Sequence, residues 1–236
     1  MLIAETFTSI QGEGKLTGVP SWFVRVSGCN LRCVWCDTPY ASWKPEGKQR
    51  CIADLVDEAS RAAANGIRHA VVTGGEPMIF DLIEPLCKRL RDAGMHVTIE
   101  TAGTVFRCVP ADLMSISPKL ANSTPPPSDA ELQGGGGWSA RHETRRINYE
   151  SLQRLLDTFS DVQLKFVVSD EKDLVEIESI LAKLVGWRPS DVLLMPEGTR
   201  LPGRERTDLI VAACLKQGWR YCHRLHIELF GNVRGT

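Results

Sequence analysis

No stretch of the 236-residue chain approaches the roughly 18 consecutive apolar residues that a membrane helix needs, so a helical membrane protein is not expected. The N-terminus has neither the basic region nor the apolar core of a signal peptide, which points to a cytoplasmic protein. Neither sign of charge is in excess. With 28 Lys and Arg against 29 Asp and Glu the formal net charge is −1, which argues against the basic stripe that nucleic acid or a membrane surface would require. Also missing is any second Cys pair, or Cys-His pair, at zinc-knuckle spacing.

What is present is ordinary for a globular protein: 43% apolar and 24% charged residues. The length suffices for a full core, and one α/β domain over residues 1–236 is expected. Eight cysteines in a chain without an export signal are expected to be reduced thiols rather than four disulfides. Of these, Cys51, Cys87, Cys108, Cys214 and Cys222 stand singly in or beside apolar segments and read as small buried hydrophobes.

The other three are concentrated. Residues 29–36 read Cys-Asn-Leu-Arg-Cys-Val-Trp-Cys, placing Cys29, Cys33 and Cys36 on one short loop. Thiolate is the soft ligand that zinc and iron–sulfur clusters prefer. A structural zinc site wants four ligands, whereas a four-iron cluster held by three cysteines leaves one iron open to a substrate. A fourth ligand would have to be recruited singly, with Cys51 or His69 as candidates.

Around this loop the pattern is strand, glycine loop, helix. A first strand over residues 1–9 ends at Gln11-Gly12-Glu13-Gly14, and residues 21–27 form a second strand from whose C-terminal end the cysteine loop hangs. Arg25 is a charge inside that apolar strand, so it stands at an edge or faces a buried anion, and a substrate carboxylate would suit its guanidinium. A helical pattern from Ile52 to Ala63 leads to strand 70–73, then Gly74-Gly75-Glu76-Pro77, then a helix from Leu82 to Leu90. Strands 97–101 and 113–116 end in Thr101 and in Ser117-Pro118-Lys119, so polar groups collect at one end of successive strands, as on the catalytic face of a barrel. Residues 121–146 then break every pattern, with three prolines and the glycine run 134–137, and read as a mobile surface insertion in which His142 is solvated. Beyond it come helix 149–159, strand 162–168, helix 174–185, strand 192–195, helix 206–218 and a last strand over 225–229. Lys165 and Met195 on these strands are candidates to point into the pocket, while the polar tail 231–236 reads as a frayed terminus.

The cysteine spacing resembles that of the radical S-adenosylmethionine enzymes. Together with Gln11-Gly12-Glu13-Gly14, Cys36-Asp37-Thr38, Thr73-Gly74-Gly75-Glu76-Pro77, Glu100-Thr101-Ala102-Gly103 and Ser117-Pro118-Lys119, the chain outside the insertion is similar to the 7-carboxy-7-deazaguanine synthase family. The resemblance implies a partial (β/α) TIM-like barrel. It implies a 4Fe-4S cluster on Cys29, Cys33 and Cys36, with S-adenosylmethionine cleaved to a radical at the open iron. It assigns Trp35, Asp37, Gly75, Glu76, Thr101, Ser117, Pro118 and Lys119 to that cofactor, with Lys165 and Met195 as further contacts. Ile10, Gln11, Gly12, Glu13, Arg25 and Thr73 would read a 6-carboxy-5,6,7,8-tetrahydropterin, and Thr236 would join them, since the family often folds its C-terminus over the substrate. Thr38 would hold Mg²⁺. A flavodoxin- or ferredoxin-like electron donor and a homodimer complete the implied set. Two other readings stay open: a glycyl-radical activating enzyme acting on a protein, and a zinc-stabilised binding module.

Overall fold

The computed structural model describes residues 1–132 and 136–236, so positions 134 and 135 of the glycine run lie outside the described residues. One nine-stranded sheet organises the rest, in the order β3-β1-β2-β4-β5-β6-β7-β8-β9. Its members are β1 Leu2–Ile10, β2 Pro20–Val26, β3 Lys48–Gln49, β4 His69–Gly74, β5 His96–Thr101, β6 Leu113–Ile116, β7 Val162–Val168, β8 Val192–Pro196 and β9 Arg220–Tyr221. From β2 onward every neighbour pair is parallel, while β1 runs antiparallel to β2 and β3. The sheet does not close, so the architecture is a partial α/β barrel, and each open edge is a strand of only two residues.

Alternation along the strands decides what faces where. Val24, Val26, Val72, Val97, Ile99, Ile116, Leu164, Phe166 and Leu194 share one parity and join the main core, packed under the helices. Those helices are α1 Ile52–Ala64, α2 Ile83–Asp92, α5 Tyr149–Thr158, α6 Glu171–Leu181 and α7 Arg204–Gln217. Leu55, Val56, Ala59 and Ala62 of α1 form one buried stripe at helical spacing. Burying each larger aliphatic side chain contributes about 1.5–3 kcal/mol. The opposite parity carries the polar residues: Arg25, Thr73, Glu100, Ser115, Gln163 and Lys165, with Val167 and Met195 among them. Chemistry therefore sits on the concave side.

The ends of two helices depart from the expected bounds for local reasons. α6 begins at Glu171, three residues early, because Asp170 caps it: the Lys172 N–H donates to Asp170 Oδ1 at 2.8 Å and the Asp170 N–H to Asp173 Oδ2 at 3.2 Å. α7 starts two residues early, at Arg204, and stops at Gly218, whose φ of +69° only glycine adopts without strain.

Three expectations fail. Residues 225–229 are not a strand but the core of α8, Leu225–Phe230, and the last strand is β9. The alternation Leu225, Ile227, Leu229 imitates a strand, yet only Ile227 is buried and no sheet edge meets the segment. The segment 121–146 contains two helices, α3 Asp129–Leu132 and α4 Trp138–Arg145, and His142 on α4 is fully buried rather than solvated. Cys51 and Cys108 are exposed, whereas Cys87, Cys214 and Cys222 are buried as expected.

Candidate active site

The β1–β2 loop crosses beneath the barrel and forms a floor. Its Gly14 N–H donates to Cys222 Sγ at 3.2 Å, its Lys15 N–H to Gln163 Oε1 at 2.8 Å, and Gly12 O accepts from the Leu225 N–H at 2.9 Å. Lys15 Nζ ties the loop to Asp161 at 2.8 Å and to Asp191 at 3.2 Å. Glycine is required here: a Cβ on Gly12 would lie 2.0 Å from His226 Nδ1. Above the C-terminal end of β2 the cysteine loop forms the roof. Its Gly28 is locked to the loop after β4, with the Glu76 N–H donating to Gly28 O at 2.9 Å and the Gly75 N–H to Val26 O at 3.1 Å.

Between floor and roof lies a cavity of about 470 Å³. Cys29, Cys33 and Cys36 all line it, as do Trp35, Asp37, Thr38, Gly75, Thr101, Ser117 and Lys119. The floor side presents Ile10, Gln11, Gly12, Glu13, Arg25, Thr73, Lys165 and Met195, and the C-terminal tail adds Val233, Arg234 and Thr236. The tail is therefore folded onto the site and not frayed. A wider groove of about 1080 Å³ runs along the outer face of Val34, Trp35 and Cys36, toward Arg200 and Leu201.

Two expected cofactor contacts, Glu76 and Pro118, lie outside the cavity lining. Glu76 is fully buried and turned away from the cavity: its carboxylate accepts from Thr101 Oγ1 at 2.7 Å, the Ala102 N–H at 2.7 Å and the Met78 N–H at 3.0 Å. Burial raises its pKa against those three donors. Its task is to join the β4 and β5 loop ends, and Pro118 is likewise absent from the lining. Arg25 lines the cavity, but the anion beside it belongs to the chain, since its Nε donates to Glu5 Oε1 at 2.8 Å. Cys51 caps α1, accepting from the Asp54 N–H at 3.4 Å, and His69 stands at the opposite end of its strand from the roof, so neither supplies a fourth ligand.

Sequence reasoning missed several residues that the fold brings in. Glu100 accepts from Gln11 Nε2 at 3.1 Å and from Thr73 Oγ1 at 2.8 Å. A charge on the concave parity of an apolar strand, the signal used for Arg25 and Lys165, would have found it. Arg224 and His226 follow β9 and carry no such signal. Arg224 donates to Glu13 Oε1 at 3.0 Å and to Asp37 Oδ2 at 2.5 Å, and so links floor to roof. Glu13 also forms a buried ion pair with Lys165. Burial pushes the His226 ring toward its neutral form, 4.0 Å from Glu13 Oε1.

The donor set fits a cluster better than a single ion. Among the described residues no three His, Cys, Asp or Glu side chains converge closely enough to hold one metal ion, while three thiols share the cavity wall. Burial, then the Glu76 charge, pushes the Cys29 thiol up to about 12; burial also takes Cys33 to about 12, against the opposing Lys119 charge.

Residues 23–119 match the profile of the radical SAM superfamily. A 7-carboxy-7-deazaguanine synthase from Halobacterium salinarum is 44% identical, over 99% of this chain and 92% of its own. The enzyme of that name from Escherichia coli K12 is 30% identical over 95% and 96%. The chain belongs to the 7-carboxy-7-deazaguanine synthase family. A crystal structure of QueE from Escherichia coli superposes with a TM-score of 0.69 at 28% identity, covering 95% of this chain and 94% of that one. As a radical SAM enzyme of this family, the chain has a 4Fe-4S cluster and S-adenosylmethionine as its cofactors. Among the described residues no helix is long and apolar enough to cross a membrane.

Proposed function

We propose that the chain is a radical SAM carbon–nitrogen lyase that converts 6-carboxy-5,6,7,8-tetrahydropterin into 7-carboxy-7-deazaguanine with loss of ammonia, in 7-deazapurine (queuosine) biosynthesis. One observation carries this reading: three thiols on the roof and the buried Glu13–Lys165 pair on the floor, which Arg224 holds from outside the lining, face the same cavity. Cys29, Cys33 and Cys36 would hold the cluster. With S-adenosylmethionine bound, it would supply the electron that cleaves that cofactor to the radical that takes hydrogen from the substrate.

The chain's own residues do the rest. Trp35, Asp37, Gly75, Thr101, Ser117 and Lys119 surround the nucleoside on the roof side, and the Lys119 ammonium lies 5.9 Å over the Trp35 ring. Ile10, Gln11, Gly12, Glu13 and Thr73 read the pterin edge, with the ionised Glu13 accepting from its ring N–H groups. Arg25 takes the substrate carboxylate by its free guanidinium edge while Glu5 holds Nε. Thr38 and the neighbouring oxygens suit Mg²⁺, a hard cation that competes poorly for thiolate. Lys165 and Met195 lie at the boundary between the two ligands, and Thr236 closes the far side.

Residues 1–236 act as one domain, in the cytoplasm and as a homodimer. An electron donor of the flavodoxin or ferredoxin kind reaches the cluster along the outer groove, where Val34 is 54% exposed. The test is anaerobic turnover of the iron-reconstituted protein with the pterin, S-adenosylmethionine and a reductant. Formation of 7-carboxy-7-deazaguanine and ammonia is expected. A reconstituted four-iron protein that releases 5′-deoxyadenosine only when a protein substrate is present would overturn the reading in favour of an activating enzyme.

A further inference from the structure

The described residues of 121–146 line none of the cavity, yet they hold the roof. The cysteine loop has no regular secondary structure of its own between β2 and the turn at Pro39, so its amide N–H groups need acceptors from elsewhere. Three of its groups find them in this segment. The Arg32 N–H donates to His142 Nδ1 at 3.0 Å, the Val34 N–H to Ser123 O at 2.9 Å, and Trp35 Nε1 to Asn122 Oδ1 at 3.2 Å. The Arg32 guanidinium also stacks 4.0 Å over Trp138.

The direction of each bond is fixed. Ser123 Oγ donates to Leu120 O at 2.6 Å, so its lone pairs face His142 Nε2, 2.9 Å away. Nε2 therefore carries the proton and Nδ1 is the acceptor. His142 and Ser123 are both wholly buried. The segment is itself anchored to the barrel: Asn122 Nδ2 donates to Val167 O at 3.0 Å and to Asp173 Oδ2 at 2.8 Å, and Arg146 pairs with Glu176 at 2.5 Å.

We propose that residues 121–124 and 138–146 are a clamp on the cluster-binding loop, with His142 as the positioning residue that holds the Arg32 amide away from the cluster sulfurs. This rests on the cluster assignment above. Amide N–H groups turned toward cluster sulfur raise its reduction potential, and those committed elsewhere do not. The clamp thus keeps the loop in its ligating shape and its cluster a strong reductant.

The experiment compares three variants of the reconstituted holoprotein. Asn places its Oδ1 where Nδ1 stands, Gln places its polar atoms at the Ser123 end, and Phe keeps the ring shape with neither nitrogen. Iron release to an iron(II) chelator and the cluster midpoint potential, from anaerobic EPR titration, are the readouts. His142→Phe and His142→Gln are expected to lose iron about tenfold faster, the equivalent of one buried hydrogen bond, with a more positive potential. His142→Asn is expected to restore both toward native values. Equal effects in all three variants assign the residue to packing and overturn the clamp, as do native values in His142→Phe. A native chain that retains no iron instead overturns the functional reading, and the clamp with it.

Discussion

Glu13 keeps its charge without solvent because other charges surround it. Burial works to raise its pKa, but Lys165 and then Arg224 outweigh burial and hold the carboxyl well below the usual range. For Lys165, burial lowers and the Glu13 and Glu100 charges more than reverse it, leaving the ammonium above its ordinary value. The depressed carboxyl contributes stability above its unfolded pKa of about 4.3, lost as the pH falls below that. The raised ammonium contributes below about 10.4, lost as the pH climbs through its folded value. Between those limits Lys165→Met is expected to destabilise the metal-free chain by about 3 kcal/mol in denaturant unfolding, since it strands a buried carboxylate that Arg224 only partly compensates. Adding Glu13→Gln should recover part of the loss, and a single-variant loss below about 1 kcal/mol would mean that water reaches the pair. Arg25 separates binding from folding differently. Arg25→Ala is expected to raise KM for the pterin at least about tenfold, whereas Glu5→Gln, which leaves the guanidinium in place, should shift KM less. An unchanged KM in Arg25→Ala would take that residue out of the substrate site.

At the level of elements, roof and strand ends are joined by backbone rather than by side chains. A Cβ on Gly75 would lie 2.0 Å from Gly28 O and 2.7 Å from Ala41 O, with no flexible group able to yield. Gly75→Ala should therefore destabilise the fold by about 3 kcal/mol or more and lower iron retention, measured by unfolding and by iron content after gel filtration. Gly203→Ala, with nothing within 4 Å of the added methyl, is the control that should leave iron content unchanged and destabilise by no more than about 1 kcal/mol, the cost of Ala at the N-cap of α7. The parallel strands and their helices were legible in the sequence because their signals are local: strand parity, helical spacing and glycine at the ends. So were the cysteines, both glycine loops and most of the cavity wall, whose motifs are contiguous. Arg224 was not, since it meets Glu13 across 211 positions and follows a two-residue strand. The helices of 121–146 were hidden by the prolines and glycines around them, and His142 looked solvated because its burial comes from the cysteine loop, more than a hundred residues earlier. Glu76 was misplaced for the opposite reason. Its motif pointed to the ligand, but the turn at Pro77 sends the side chain into the protein.

The whole molecule is a barrel left open at one side, and the tail 232–236 lies against the resulting cavity. Arg234 reaches Glu5 on β1 at 3.1 Å and Glu46 at 3.2 Å, and lies 4.0 Å over the Tyr40 ring, so the tail is pinned to the first strand and to the turn after the cysteine loop. These contacts are at the surface, where ion pairs add little stability, and a chain shortened by residues 232–236 should unfold close to the native temperature. Its chemistry should change much more. Without the tail the substrate side of the cavity opens to water, and a radical formed there is quenched before the pterin rearranges. Substrate and product plus ammonia stand at the same oxidation level, so the native cycle returns the hydrogen it takes. The expected result is a raised KM for the pterin together with 5′-deoxyadenosine accumulating beside the 7-carboxy-7-deazaguanine. A shortened chain that keeps the native KM and releases no more 5′-deoxyadenosine than the native chain would show that floor and roof suffice to enclose the substrate, and would leave Thr236 and Arg234 as surface residues.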